Sequence, residues 1–274
     1  MKIKAHAKIN LGLKVISKRS DGYHNLETIM TEINLYDLIH IFLSDEIRVY
    51  CKEVDEKDNL SYKVATFMKE KYHVEKGATI YIDKKIPIQA GLGGGSSDAA
   101  STIKALNKMW KLNLSVDEML EISNMFGSDI AYFIYDKPAF VTGRGENIET
   151  IKIKRKLPLL LIKPDEGFVT KEIYSNIDSH SKKDELTYLL NDLAIGAKNL
   201  NDEMSNDLEK GLSKEKAILI NSIKNDLKAY GATNTMMSGA GSSVFGIFLN
   251  KNDRNKAYKK LKLFYKEIYK VHTI

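Results

Sequence analysis

The feature that most constrains this chain is a glycine-rich segment in its first half, Gly91-Leu-Gly-Gly-Gly-Ser-Ser97. It follows the strand-like run Ala78–Ile82 and precedes a helical pattern that starts at about Ser97. Glycines lack a Cβ, so their backbone N–H groups can approach an anion closely, and a helix N-terminus adds partial positive charge. Four glycines and two serines in seven residues exceed what a tight turn requires. The segment therefore predicts a phosphate-binding cradle.

Neither of two common phosphate-binding patterns fits this segment. No Gly-Lys-Ser/Thr follows it, which excludes a Walker A loop, and Ser96 stands where G-x-G-x-x-G has its last glycine. A second glycine segment, Ser238–Ser243, precedes the strand-like run Val244–Leu249. Alone it is equally well a loop before a strand. Paired with the first, it is interpreted as the other wall of a nucleotide site.

Length and composition set the class of protein. The 274 residues suit one large or two modest domains, and 43% apolar with 28% charged residues is an ordinary globular mixture. Cys51 is the only cysteine, which excludes an intramolecular disulfide and a cysteine-based zinc site. The six histidines show no metal-ligand spacing. No apolar stretch approaches about 18 residues and no signal-peptide pattern opens the chain, so we expect a cytoplasmic protein.

The alternation of apolar and polar residues predicts the fold class. Residues 1–15 alternate with period two, which predicts a strand with His6, Lys8 and Asn10 on an exposed polar face. Strands and helices are mixed with only partial alternation, which favours an α+β fold over a doubly wound sheet. The basic stretch Lys152–Lys156 suggests a boundary between two domains, 1–153 and 154–274.

Two residues are candidates for chemistry on a phosphoryl group. Transfer to an alcohol needs a cation for the developing charge and often a carboxylate that accepts the hydroxyl proton. Lys8 is a candidate cation, although a strand lysine is usually only solvated. Asp129 follows Gly127 and precedes an apolar run, so it is a candidate base, with helix capping as the ordinary alternative.

These segments resemble a known family. Pro87–Asp98 resembles the glycine loop of the GHMP kinases, which act on galactose, homoserine, mevalonate and related alcohols. Other segments resemble the branch that acts on a cytidine diphosphate sugar alcohol in non-mevalonate isoprenoid precursor biosynthesis. The resemblance covers the whole chain in motif order, in the segments Lys8–Val15, Asp21–Met30, Leu35–Asp37, Gly127–Asp129, Asn206–Glu209 and Met237–Gly241.

The resemblance implies a two-domain GHMP fold with the active site in the cleft between lobes, and roles for individual residues. Lys8 and Asp129 would be catalytic. Apart from the resemblance, we expect Mg²⁺ to accompany ATP; the sequence assigns no metal-ligating residue, and Ser96 and Ser97 are the open choices. ATP would be bound by Pro87, Gly91, Leu92, Gly93, Gly94, Gly95, Ser96 and Ser97. The substrate would be bound by Asn10 near the reacting hydroxyl, His24 at the cytosine edge, Tyr23 on the cytosine ring, and further contacts at Thr170 and Tyr174. Ala131 departs from the proline that the family usually has after the catalytic aspartate.

Two alternatives remain open. Another GHMP kinase, acting on mevalonate, homoserine or a sugar, would have no nucleobase to recognise, so Tyr23 and His24 discriminate against it. The formal charge of +6 also suits a nucleic-acid-binding protein, which would need aromatic and basic residues interleaved on one exposed sheet. The C-terminal lysines, Lys251 to Lys270, instead follow a helical pattern, which predicts a solvated helix face. We expect a small-molecule substrate and neither a nucleic acid nor a membrane as partner; the sequence does not indicate the oligomeric state.

Overall fold

A computed structural model describes residues 1–198, 200 and 204–274. The strands are β1 Lys2–Lys18, β2 His24–Ser44, β3 Arg48–Cys51, β4 Gly77–Asp83, β5 Ala139–Gly143, β6 Asn147–Thr150, β7 Pro158–Lys163, β8 Asn234–Met237, β9 Val244–Ile247 and β10 Glu267–His272. The helices are α1 Leu60–Lys71, α2 Gly94–Met109, α3 Val116–Phe126, α4 Ser128–Tyr135, α5 Thr170–Ser175, α6 Thr187–Ile195, α7 Lys214–Ala229 and α8 Lys251–Leu261. This order confirms the α+β class predicted from the sequence.

The chain forms two compact units. The first contains Met1–Ala7, Leu35–Ile86 and Gly93–Lys137, and the second contains Lys8–Asn34, Pro87–Leu92 and Pro138–Ile274. The long strands β1 and β2 each contribute residues to both units. The division at residue 153 suggested by the basic stretch stays a prediction.

In the first unit, β4 is the middle of three paired strands. It pairs in parallel with β3 and antiparallel with Leu38–Ser44 of β2. Alternate residues of these strands are fully buried, among them Ile39, Ile41 and Ile80. This period-two burial is the pattern expected of a sheet with one covered face. Helix α2 packs against α1 and α4. This packing holds the N-terminus of α2, which follows the glycine loop, in position.

The second unit is built around a four-stranded antiparallel sheet in the order β10-β7-β9-β8. All six residues of β7, Pro158–Lys163, are buried, as expected of an interior strand. Elsewhere in this unit, Leu26–Met30 of β2 pairs antiparallel with β5, which pairs with β6. The segment Ser238–Ser243 connects β8 to β9 and is buried throughout.

The structure differs from the sequence expectations at two elements. The prediction that the C-terminal lysines share one helix is wrong, because α8 ends at Leu261 and Lys270 lies in β10, which pairs with β7. A neighbouring strand supplies the backbone partners there, and local periodicity cannot reveal it. Helix α2 begins at Gly94, three residues before the expected Ser97, so two of the glycines lie inside the helix.

Among the helices of the described residues, none combines the length and the apolar character that a membrane crossing demands.

Candidate active site

The backbone of the glycine loop needs glycine at two positions. Gly91 has φ +72° and Gly93 has φ +68°, both in the left-handed region that side chains with a Cβ disfavour. Gly93 is the N-cap of α2, and its carbonyl oxygen accepts a hydrogen bond from the N–H of Ser97 at 2.9 Å. These two glycines turn the chain so that the first N–H groups of α2 follow directly on the loop.

Gly95 has a different explanation. It lies in the first turn of α2, has no left-handed φ, and a Cβ placed there would meet nothing nearer than Leu60 Cδ1 at 3.9 Å. Glycine inside a helix is less favourable than alanine by about 1 kcal/mol. Neither sterics nor backbone geometry within the described residues requires it. An exposed glycine with open space beside unpaired helix N–H groups fits an anion cradle that a Cβ would fill.

The second glycine segment lies against the start of the first. Ser238 Oγ donates a hydrogen bond to the Gly91 carbonyl oxygen at 3.0 Å, and the N–H of Ser243 donates to the Ala90 carbonyl oxygen at 3.2 Å. A Cβ on Gly91 would lie 1.9 Å from the Ser238 carbonyl oxygen. The two segments are therefore in backbone contact, as the sequence interpretation required.

Asn206 holds the second glycine segment in shape. Its Nδ2 donates to the carbonyl oxygens of Met237 at 2.9 Å and Gly239 at 2.7 Å, while its Oδ1 accepts from the N–H of Leu208 at 3.0 Å. Three backbone groups are satisfied by one buried amide. The sequence identified Asn206 only as part of a family motif, because the contact joins residues more than 30 positions apart.

The Lys8 ammonium lies beside both glycine segments. Its Nζ donates to Asn10 Oδ1 at 2.9 Å, its backbone N–H donates to the Leu92 carbonyl oxygen at 2.9 Å, and a Cβ on Gly239 would lie 3.2 Å from Nζ. The expectation that Lys8 and Asn10 lie on an exposed face is wrong, since they are only 4% and 0% exposed. Other chain segments cover that face, which strand periodicity cannot anticipate.

Thr28 orients this pair and was not singled out from the sequence. Its hydroxyl donates to the Gly12 carbonyl oxygen at 2.6 Å and accepts from Asn10 Nδ2 at 2.8 Å. Because the hydroxyl hydrogen is used on Gly12, only a lone pair faces Asn10, so the NH₂ side of the amide must point to Thr28. The amide oxygen is thereby directed at Lys8. Its only sequence signal is its place in the Asp21–Met30 motif.

Asp129 lies in the first turn of α4 and is partly buried. The N-cap of this helix is Gly127, so Asp129 is not the capping residue that the ordinary alternative supposed. The positive end of the helix dipole favours a carboxylate in the first turn. Ala131, where the family resemblance led us to expect proline, lies two residues further along α4 and is buried.

His24 and Tyr174 form a cluster in the second unit. Their rings stack with centroids 5.3 Å apart, and the His180 ring lies 6.5 Å from His24. Burial lowers the pKa of His24, and the charges of Lys18 and His180 lower it further. The imidazole is therefore neutral at pH 7. His24 Nε2 is buried and has no hydrogen-bond partner in the part of the chain that the structure describes.

The other two predicted substrate contacts lie on the surface. Tyr23 is 56% exposed, and the Arg144 guanidinium lies over its ring at 5.1 Å from the centroid. Thr170 is exposed and is the first residue of α5, the short helix that also carries Tyr174. Their assignment to the substrate stays a prediction.

Comparison with known proteins defines the class. Residues 59–137 match the GHMP kinases N terminal domain and residues 186–267 match the GHMP kinases C terminal domain. The chain is a GHMP kinase, an ATP-using small-molecule phosphotransferase. Curated relatives named 4-diphosphocytidyl-2-C-methyl-D-erythritol kinase are 40% identical in Thermoanaerobacter sp. (strain X514), covering 100% of this chain and 96% of the relative, and 39% identical in Clostridium tetani, covering 100% of both. The chain belongs to this family of kinases.

Solved structures agree with this. A crystal structure of 4-(cytidine 5'-diphospho)-2C-methyl-D-erythritol kinase matches with TM-score 0.88 and 26% identity over 100% of this chain and 99% of that one. Mevalonate kinase from L. major matches with TM-score 0.76 and 15% identity over 100% and 95%, which shows the shared fold alone.

Proposed function

We propose that this chain transfers the γ-phosphoryl group of ATP to the 2-hydroxyl of 4-diphosphocytidyl-2-C-methyl-D-erythritol, in non-mevalonate isoprenoid precursor biosynthesis. Family membership supports the reaction class and the substrate. The observation that carries the proposal is the Lys8 ammonium, buried beside two glycine segments in backbone contact. A buried cation next to a phosphate cradle suits charge stabilisation during phosphoryl transfer.

The triphosphate lies over Gly91–Ser97 in this proposal. The N–H groups of the first turn of α2 donate to its oxygens, and the open space at Gly95 admits them. The ATP-binding segment extends back to Pro87, so that it also includes Pro87 at its start and Leu92 near its centre. Residues that hold the nucleotide in one position also orient the transferred group for attack by the hydroxyl oxygen.

Lys8 and Asp129 carry the chemistry. Asp129 accepts the proton of the 2-hydroxyl, the hydroxyl oxygen forms the new bond to the γ-phosphorus, and the bond to the β–γ bridging oxygen breaks with release of ADP. Lys8 stabilises negative charge on the nucleophile and on the phosphoryl oxygens. Asn10 keeps the Lys8 ammonium in place through its 2.9 Å hydrogen bond and lies near the reacting hydroxyl.

Mg²⁺ belongs to the proposal as the companion of ATP. The described residues contain no group of three or more His, Cys, Asp or Glu side chains placed for a metal. This fits Mg²⁺, which is held mainly by substrate phosphates and water with one or two protein oxygens. The Ser96 or Ser97 hydroxyl would be its protein ligand, and the ion would neutralise charge on the β- and γ-phosphate oxygens.

The cytosine end is recognised by His24. A neutral imidazole can present Nε2 as an acceptor to the exocyclic amino group of cytosine, and this buried atom lacks another partner among the described residues. Tyr174 supports the imidazole by stacking, and Tyr23 covers the cytosine ring. Thr170 contributes a hydroxyl from the start of α5.

The cytoplasmic location expected from the sequence also stays a prediction.

The direct test replaces Asp129. Asp129→Ala should lower kcat on the order of 10²-fold because general base catalysis is lost. Lys8→Met should behave similarly, with circular dichroism and thermal melting confirming that each variant is folded. Near-parental turnover in a folded Asp129→Ala protein would refute the assignment.

Two alternatives remain testable. A substrate panel with coupled ADP detection separates the cytidine diphosphate substrate from mevalonate, homoserine and sugars. For nucleic acid, one observation is relevant: the half-exposed rings of Tyr50 and Tyr81 stack at 4.9 Å, and Phe42 lies against Tyr81. Arg48, the cation on the same strand as Tyr50, is however paired with the Glu46 carboxylate at 2.8 Å. Salt-sensitive binding of a random oligonucleotide would revive that function.

A further inference from the structure

A buried charge cluster lies in the first unit, apart from the residues assigned to catalysis. Lys84 Nζ donates to Asp37 Oδ2 at 2.5 Å and to Asp98 Oδ2 at 2.8 Å. The three side chains are only 8%, 0% and 4% exposed. Charged groups this deeply buried are costly to desolvate, even when they are paired. Stability alone is a weak reason for such a cluster.

The cluster connects the two ends of the glycine loop. Asp37 Oδ1 accepts hydrogen bonds from the N–H groups of Lys85 at 2.5 Å and Ile86 at 2.8 Å, immediately before the loop begins at Pro87. Asp98 lies in α2, immediately after the loop. Lys84 bonds to both carboxylates. The chain is therefore fixed where it enters the loop and where it leaves it.

The Lys84 ammonium also lies close to Gly94, the first residue of α2. A Cβ on Gly94 would come within 3.2 Å of Lys84 Nζ and within 3.0 Å of Ile86 Cγ2. Gly94 thus allows the ammonium to approach the α2 backbone closely. Gly95, whose Cβ would meet open space, serves a different purpose from its neighbour.

Burial and the charges within the cluster together raise the pKa of two of its members. Burial raises the pKa of Asp98 to about 7, because Asp37 adds to the effect of desolvation and Lys84 only partly opposes it. Burial acts to lower the pKa of Lys84, yet the two carboxylates outweigh it and raise that pKa. Lys84 therefore stays charged at neutral pH. Asp98 Oδ1 is buried and lacks a partner within the described residues.

We propose that Asp37, Lys84 and Asp98 form a positioning cluster that sets the geometry of the glycine loop, and that ATP affinity depends on Lys84 through this cluster. The inference rests on the proposed role of the loop as the ATP phosphate site. Lys84 is a positioning residue, since it acts on ATP through the loop backbone. Its removal breaks the link between Asp37 at the start of the loop and Asp98 at its end, while Lys8 and Asp129 stay in place.

The test compares Lys84→Met with Lys85→Met in the full chain. Lys85 is the adjacent residue and makes an exposed pair with Asp83 at 3.0 Å, so it provides the same substitution outside the cluster. Lys84→Met should raise the Kd for ADP, measured by calorimetry, and the KM for ATP by about tenfold or more, because small displacements of a binding loop are costly. The KM for the alcohol substrate should change less than about twofold, and Lys85→Met should leave all values near parental.

A purely structural role predicts a different result. It would lower the melting temperature and the fraction of active enzyme, and therefore the apparent kcat. The KM for ATP and the Kd for ADP would stay parental. That result would overturn the proposal. If Lys84→Met does not fold, Lys84→Arg and Asp98→Asn apply the same comparison, with weaker ADP binding in Asp98→Asn and retained binding in Lys84→Arg expected. Parental ADP affinity in folded Asp98→Asn would then overturn the proposal. ADP binding is independent of the alcohol substrate, so an inactive parent would refute the proposed function without deciding the role of the cluster.

Discussion

Replacement of Gly95 by alanine separates binding from folding more sharply than any other change in the loop. The nearest atom to the new Cβ would be Leu60 Cδ1 at 3.9 Å, an ordinary van der Waals distance, and the backbone there is helical. Alanine is favoured over glycine in a helix by up to about 1 kcal/mol. The unliganded Gly95→Ala protein should therefore be as stable as the parent or melt about 2–4 °C higher.

The same methyl group should impair nucleotide binding. It would occupy the space beside the α2 N–H groups through which phosphate oxygens approach, so we expect the Kd for ADP and the KM for ATP to rise by about tenfold or more, since each tenfold is only about 1.4 kcal/mol. Calorimetry measures the affinity for ADP, and thermal melting with and without ADP measures the stability of the same sample.

The Gly91→Ala variant is the contrasting control. Its Cβ would lie 1.9 Å from the Ser238 carbonyl oxygen on a backbone with φ +72°, so both stability and binding should be lost. Unchanged ADP affinity in a stable Gly95→Ala protein would refute the argument that open space at Gly95 accommodates phosphate.

Three further predictions follow from the contacts around the site. Thr28→Val removes the hydrogen bonds to Asn10 Nδ2 and to the Gly12 carbonyl oxygen, which should cost about 1–3 kcal/mol in a urea melt and lower kcat while the KM for ATP changes little; a parental kcat would contradict the orienting role. Because the lowered pKa of His24 keeps the imidazole neutral at pH 7, protonation in acid should remove its acceptor, so the KM for the cytidine substrate should be constant at and above pH 7 and rise only below the ordinary histidine pKa of 6.5. A pH-independent KM would count against His24 as the cytosine contact. His24→Ala should raise that KM with little change in kcat, because His24 acts far from the bond being made, and a loss confined to kcat would show that the cytosine lies elsewhere.

The features that could be predicted from the sequence are those that depend on local pattern. The alternation of residues 1–15 predicted strand β1, which the structure has at Lys2–Lys18. The glycine loop was located between a strand and a helix, as the structure has it. Strand periodicity and glycine content are local properties of the chain, so a single sequence contains enough information to identify them.

The features that were missed depend on contacts between distant segments. Lys84 lies 47 positions from Asp37 and 14 from Asp98, and no local pattern links them. The burial of Lys8 and the strand that contains Lys270 likewise depend on neighbouring segments that cover a face or supply backbone partners. A period-two pattern shows which side chains share a face, and tertiary packing decides whether that face meets solvent.

In the proposed reaction, Asp129 and Lys8 catalyse transfer of the γ-phosphoryl group from ATP to a cytidine diphosphate sugar alcohol. The most direct measurement is turnover of 4-diphosphocytidyl-2-C-methyl-D-erythritol with ATP by the parent and by Asp129→Asn, with ³¹P NMR identifying the product. We expect a phosphate monoester at the 2-hydroxyl and one equivalent of ADP from the parent, and turnover lower on the order of 10²-fold in the variant. Failure of the parent to phosphorylate this substrate, or equal turnover by a folded Asp129→Asn protein, would contradict the claim.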